Sequence, residues 1–374
     1  MPKAQYIMIG GFLGAGKTTA ILRLAEHLTE TGLRVGLITN DQSVGLVDTA
    51  MANSHGFPVE EITGGCFCCR FNSLIEASER LTQESRPDVF VAEPVGSCTD
   101  LRAAVSYPLR RLYGDQFQIA PLSVLVDPIR ALRILGLEPG KAFSPKVLYV
   151  YAKQLEEAEV IVINKTDVIS ADQLHRLEQA LRVAYPRARV FSASARKATG
   201  LAPWFDHIAA AEPGDDIAPA VDYELYAEGE ALLGWFNSTI QISAKSSFDG
   251  NAFLLNFARL LQDKLNADGL EVAHLKMVLA PDDGDDIAVA NLVRSDGQAE
   301  LSYSLQEPLD TGELIINLRA EGDPGTLRQA ATDALAQSAK DIEGFGMVVE
   351  HSEFFRPAKP TPTYRMATVQ EGQG

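Results

Sequence analysis

The chain is short of several things, and each shortage excludes a class of protein. Among its 374 residues there are four cysteines, six histidines and two tryptophans. Three of the cysteines crowd into Cys66–Cys69, so they cannot staple a fold of this size, and a disulfide scaffold is excluded. Cations are outnumbered, 33 Lys and Arg against 50 Asp and Glu, for a formal charge of −17. That balance, with no Lys/Arg run, argues against a protein that grips phosphate backbones, so no nucleic-acid partner is expected. No apolar run approaches the roughly 20 residues that span a bilayer. The run Tyr6–Ile9 is too short for a secretory leader. A cytoplasmic protein with no membrane partner is therefore expected. At 46 % hydrophobic and 22 % charged residues, the composition is that of a folded globular chain.

What is present is an alternation of short apolar runs and helical patterns. Over the first 210 or so residues, strands are predicted at Tyr6–Ile9, Arg34–Thr39, Asp88–Ala92, Leu122–Val126, Val160–Ile163 and Val190–Ser194. Helices are predicted at Lys17–Glu30 and Leu74–Gln83. Near-continuous apolar strands are buried on both faces, which predicts an α/β fold with a mostly parallel sheet and helices on both faces. Ligands of such sheets bind at the carboxyl ends of the strands. This domain is read as residues 1–212. Two prolines, a glycine and three aspartates then mark a linker at 213–222. Residues 223–356 are strand-rich, with runs at Leu232–Ile242, His274–Leu279, Ile287–Val293, Leu314–Leu318 and Met347–Glu350. Helices at Ala252–Leu265 and Leu327–Ala339 make this a smaller C-terminal α+β domain, in the manner of a split βαβ. The proline-bearing segment 357–374 is expected to be extended or disordered.

Gly11-Phe12-Leu13-Gly14-Ala15-Gly16-Lys17-Thr18 fits the phosphate-loop pattern between a strand and a helix. Glycines let backbone N–H groups converge on a phosphate, and the helix N-terminus adds partial positive charge. Gly11, Gly14, Ala15, Gly16 and Thr19 are read as nucleotide-binding. Lys17 is read as reaching the β/γ oxygens, and Thr18 as a ligand of Mg2+. Asn164-Lys165-Thr166-Asp167 follows the run Val160–Ile163. The Asp167 carboxylate can accept from guanine N1–H and N2–H2, a donor pair that adenine lacks, so GTP is the expected nucleotide. Ser192, Ala193 and Ser194 at the next strand's end would add backbone contacts to the base. Asp41 and Glu93, each at a strand end, are candidates to hold Mg2+, directly or through water, or to orient the attacking water. Gly96 can bring its N–H to a γ-phosphate and withdraw it.

Cys66-Phe67-Cys68-Cys69, preceded by Gly64 and Gly65, places three soft thiolate donors where they can face one point, which suits Zn2+ or another late divalent ion. Three ligands leave a tetrahedral ion one open position, as a transferable ion needs. Cys98 is an additional candidate ligand. In sequence the cluster lies between Asp41 and Glu93, so GTP is expected to gather the thiolates and hydrolysis to release them.

These motifs together resemble the metal-chaperone branch of the P-loop GTPases. The quoted residues are the Gly10–Thr19 loop, Glu93-x-x-Gly96, Asn164-Lys165-x-Asp167 and Gly64-Gly65-Cys66-Phe67-Cys68-Cys69. The CobW-like subfamily is the nearest in pattern, and the segment Gln154–Asp167 resembles its strand into the guanine loop. The loop after Glu93 departs from the subfamily, reading Ser97-Cys98-Thr99-Asp100, and no histidine-rich stretch is present. The resemblance implies a SIMIBI-type P-loop NTPase with a CobW-like C-terminal domain. It implies slow, Mg2+-dependent GTP hydrolysis coupled to delivery of Zn2+, Co2+ or Ni2+ to a client protein, and a molecule of the type that pairs as a homodimer across its nucleotides. Two other readings stay open on the residues alone: a metal- or nucleotide-responsive regulator with negligible turnover, and an ATPase or small-molecule kinase on the same scaffold.

Overall fold

A computed structural model describes residues 3–40, 55–284 and 286–369; Asp41 lies outside the described residues. The chain divides into two compact units. Among the described residues the first holds 3–40, 55–227 and 359–369, and the second holds 228–284 and 286–358.

The first unit is built on one sheet. Its strands are β1 (Ala4–Gly11), β2 (Val35–Asn40), β3 (Val59–Ile62), β4 (Val89–Glu93), β5 (Phe117–Ile119), β6 (Ser123–Val126), β7 (Val160–Ile163) and β8 (Arg189–Ser192). They are ordered β3-β2-β4-β1-β6-β7-β8, with β5 beside β1. The pairings among them are parallel. The central strands are buried along their length, as sequences such as Val160–Ile163 require when both faces are covered. The helix Lys17–Glu30 turns Ala20, Ile21, Leu24, Ala25 and Leu28 inward, one face of a 3.6-residue period. Both elements have the bounds predicted from sequence. The stretch Gln154–Asp167 differs: Gln154 sits on the helix Pro145–Glu157, and the strand is confined to Val160–Ile163.

The segment read as a linker, 213–222, is fastened to the first unit. Gly214 N–H donates to Glu159 Oε1 (2.6 Å), and Arg102 Nη2 donates to Asp216 Oδ1 (2.7 Å). The division between the units falls after Ala227, inside the helix Tyr223–Leu232.

The second unit carries β9 (Leu233–Phe248), β10 (Glu271–Pro281), β11 (Ala288–Leu292), β12 (Glu300–Tyr303), β13 (Leu309–Glu321) and β14 (Gly346–Phe355). The sheet is antiparallel in the order β12-β11-β10-β13-β9-β14. Its helices, Gly250–Ala267 and Pro324–Ser338, are capped by the side chains of Asp249 and Asp323. The strands β10-β13-β9-β14 and the two helices form a split βαβ arrangement, with β11 and β12 added at one edge. Phe253, Phe257, Leu261, Met277, Ile316 and Leu327 lie in its core.

Candidate functional site

The phosphate-loop residues follow β1 at the carboxyl end of the sheet. Gly16 has φ +87°, and a Cβ there would lie 2.5 Å from Asn164 Nδ2, so a side chain would be both strained and obstructed. Three consecutive loop carbonyls are held by side chains from other segments. Arg130 Nη1 donates to Leu13 O (3.1 Å), Lys165 Nζ to Gly14 O (2.5 Å) and Asn164 Nδ2 to Ala15 O (2.9 Å). A trans peptide sets its C=O and N–H in opposite directions, so these bonds turn the N–H groups of Gly14 and Gly16 away from Arg130 and Asn164. The Ala15 N–H instead donates to Phe12 O (3.1 Å), so Ala15 serves the loop through its carbonyl. Arg130 itself lies against the rings of Phe12 and Phe143, 5.4 and 4.8 Å from their centroids.

Lys17 and Thr18 are buried at the start of the helix. Thr18 Oγ1 donates to Glu93 Oε1 (3.2 Å), and Lys17 Nζ lies 4.0 Å from the same oxygen. Thr19, one position on, is half-buried. Gly96 backs onto the loop: a Cβ there would meet Leu13 Cδ2 at 2.8 Å and Leu13 N at 3.1 Å. The structure thus brings Lys17, Thr18, Glu93 and Gly96 to one place.

On the base side, Asn164 spans two loops, its Oδ1 accepting from Ala195 N–H at 3.0 Å. Lys165, at φ +56°, pairs with Asp127 at 3.0 Å. Asp167 Oδ1 accepts from Ser194 Oγ at 2.5 Å, so Ser194 is the serine that orients it. Ser192 turns its hydroxyl to Glu178 (2.6 Å), and Ala193 N–H is spent on Ile163 O (2.9 Å).

The cysteines sit in the turn between β3 and the helix Phe71–Glu84. Gly64 (φ +73°) and Gly65 (φ +148°) bend the chain into it beneath the Arg70 side chain. The N–H groups of Cys69 and Arg70 both return to Cys66 O, at 3.0 and 2.9 Å. Three sulfurs converge: Cys66–Cys68 2.8 Å, Cys66–Cys69 3.4 Å and Cys68–Cys69 3.7 Å. Sulfurs on a tetrahedral zinc stand about 3.8 Å apart, from its Zn–S bond length. Two of the three separations are close to that, and Cys66 and Cys68 would part by roughly 1 Å on loading. Cys66 and Cys68 are buried and Cys69 half-buried. Hydrogen bonds from the Cys68, Cys69 and Cys98 thiols hold the Cys66 thiol well below its usual range. The same sharing pushes Cys68 up, and Cys69 up to about 11. Cys98 therefore neighbours Cys66, while the compact sulfur triad is Cys66, Cys68 and Cys69.

Sequence reasoning missed the residues that hold these loops. Asn40, at the end of β2, donates through Nδ2 to Ile62 O (2.9 Å) and Gly65 O (2.8 Å). Gln154 Nε2 donates to Gly96 O (2.9 Å) and Cys98 O (2.8 Å). Glu157 accepts from Thr99 Oγ1 and Arg102 N–H, both at 3.0 Å. Burial, and then the charge of Asp100, pushes the Glu157 carboxyl up to about 8. Tyr223 OH donates to Asp100 Oδ2 at 2.5 Å. Asn40, quoted only as part of Thr39-Asn40-Asp41, is the one that residue type could have flagged: an amide closing an apolar strand.

A parallel sheet with a glycine-rich loop between β1 and the first helix, an Asn-Lys-x-Asp loop after β7 and a carboxylate at the tip of β4 define a P-loop nucleotide-binding protein. Residues 5–192 match the nucleotide-binding domain of the CobW/HypB/UreG family, and the chain belongs to that family. It is 30 % identical over 181 residues to the zinc chaperone YeiR of Escherichia coli (strain K12), covering 47 % of this chain and 49 % of that protein. It is 30 % identical over 193 residues to the zinc chaperone CobW of Sinorhizobium sp, covering 46 % and 53 %. The chain thus spans about half the length of these curated relatives. Among solved structures it is similar to the Zn(II)-bound YjiA GTPase from E. coli, at 17 % identity over 89 % of this chain and 99 % of that one, with a TM-score of 0.34. Among the described residues no helix is long and apolar enough to cross a membrane.

Proposed function

We propose that this chain is a GTP-hydrolysing metallochaperone, which loads a divalent transition metal, zinc first among the candidates, and hands it to a client protein. GTP lies with its phosphates in the Gly11–Thr19 loop and Lys17 against the β/γ oxygens. The Thr18 hydroxyl and the Glu93 carboxylate, buried oxygens 3.2 Å apart, suit Mg2+. When bound, Mg2+ supplies positive charge to the phosphates. Asp41 is assigned a supporting place in that shell. Glu93 orients the attacking water, and Gly96 presents its N–H to the γ-phosphate. Asp167, steadied by Ser194, reads guanine. Turnover is slow without metal or client.

The ion is cargo on Cys66, Cys68 and Cys69, and a fourth position is open to a ligand that takes it away. One observation carries the reading. The turn that begins at Gly65 is hydrogen-bonded to Asn40 on β2, and its first thiol neighbours Cys98, on the loop that follows Glu93. Ion and γ-phosphate therefore bear on the same loops.

Coupling is reciprocal: if GTP tightens the ion, the ion tightens GTP by the same factor. Zn2+ is titrated by chelator competition into protein holding a non-hydrolysable GTP analogue or GDP, and phosphate release is followed with and without Zn2+. Tighter Zn2+ in the analogue state by roughly fivefold or more is expected. Equal affinities in the two states would remove the coupling, and absence of phosphate release would leave a nucleotide-responsive regulator.

A further inference from the structure

Residues 359–369 cross the cysteine turn. Pro357, Pro360 and Pro362 keep the approach extended and carry no N–H. The donors that remain fall on the site. Thr361 N–H meets Cys69 Sγ at 3.2 Å, Thr363 N–H meets Cys68 O at 2.9 Å, and Thr363 Oγ1 donates to Cys69 O at 3.1 Å. The Tyr364 ring packs edge-on against Phe71, centroids 5.2 Å apart. Arg365 Nε and Nη2 then donate to the two oxygens of Asp100, at 2.8 and 3.3 Å, and Met366 N–H donates to Ala103 O at 2.9 Å. Within a few positions the same segment grips the cysteine turn and the loop that follows Glu93.

We propose that residues 359–369 are a latch on the metal site. The proposal rests on the reading of Cys66, Cys68 and Cys69 as ion ligands. Cys66 and Cys68 are 5 % and 1 % exposed, so a competing ligand reaches the ion from the side of the half-buried Cys69. Thr361 stands on that side. Its N–H donates to the sulfur and holds the segment over it. Arg365 ties the latch to Asp100, so movement of the loop after Glu93 on hydrolysis loosens Thr361 from Cys69 and opens the exit. The latch thereby sets the rate of release, and the nucleotide sets the latch.

The test follows Zn2+ leaving the full chain into a chromogenic chelator, with alkylation of Cys69 in the metal-free protein as a second readout. Thr361→Pro removes the N–H, Thr361→Ala retains it, and Arg365→Ala cuts the tie to Asp100. Thr361→Pro and Arg365→Ala are expected to release Zn2+ roughly tenfold faster, the factor carried by a hydrogen bond to a charged acceptor. Thr361→Ala is expected to keep the parent's rate, and Cys69 to alkylate several-fold faster in Thr361→Pro. Should Thr361→Pro fail to fold, Arg365→Ala decides. If the parent holds Zn2+ through its cysteines while Thr361→Pro and Arg365→Ala release it at the parent's rate, the latch is overturned and the metal reading stands. If the parent binds no Zn2+ through these cysteines, the metal reading falls and the latch with it.

Discussion

Replacing Asn164 with alanine tests whether the nucleotide site is held ready by the fold. The side chain is buried, and its two ends satisfy Ala15 O at 2.9 Å and Ala195 N–H at 3.0 Å. Each bond contributes about 1 kcal/mol net, and each backbone group left without its partner in the interior raises the loss toward 1–3 kcal/mol. The expected destabilisation is therefore about 2–6 kcal/mol. For a unit of this size each kcal/mol lowers the melting temperature by about 2–4 °C, so a drop of at least about 4 °C is expected. The same substitution frees the phosphate loop from the base loop. Binding must then order both, and GTP affinity is expected to fall by a factor on the order of 100, the equivalent of about 2.7 kcal/mol. Differential scanning calorimetry and fluorescence titration with a labelled nucleotide read the two effects separately. A variant that melts within a degree of the parent and binds GTP within threefold of it would refute the idea that Asn164 organises the pocket.

Two further predictions follow from the same geometry. Asp167→Asn keeps an acceptor for the ring N–H but faces the exocyclic amine with a donor; GTP affinity is expected to drop roughly a hundredfold while xanthosine triphosphate gains, and unchanged selectivity in competition binding would remove Asp167 from base recognition. Glu157 holds its proton in the fold up to about pH 8, above its ordinary 4.5. Between those values the folded chain binds more protons than the unfolded one, so stability falls as pH rises through the window. Thermal melts from pH 5 to pH 8 are expected to slope downward in the parent and less in Glu157→Gln, and identical slopes would place the titration elsewhere.

Much of the nucleotide site is local and so was legible. The phosphate loop, the Asn-Lys-x-Asp loop and the cysteine turn each carry their chemistry within a few adjacent residues, and the helix Lys17–Glu30 follows directly from its periodicity. What was hidden is contact at a distance. Gln154 holds Gly96 and Cys98 from a helix more than fifty positions away, and nothing near Gln154 in sequence distinguishes it from a surface glutamine. The choice of Ser194 over Ser192 for Asp167 depends on which way the chain turns at the end of β8, and neighbouring serines do not reveal that. In the second unit β9 reads as ending at Ile242 but continues to Phe248, because Ser243 still pairs with β13 and β14 and Phe248 pairs again with Leu309 beyond the last buried residue. The polar strand β12 went unseen for the same reason: its place is set by its partner β11 rather than by an apolar face.

Thr361 meets Cys69 across 292 positions of chain. A ribosome adds roughly 5–20 residues each second, so a newly made molecule carries Cys66, Cys68 and Cys69 for roughly 15–60 s before Thr361 is added. During synthesis those sulfurs lack the contact that Thr361 makes with Cys69 in the folded chain.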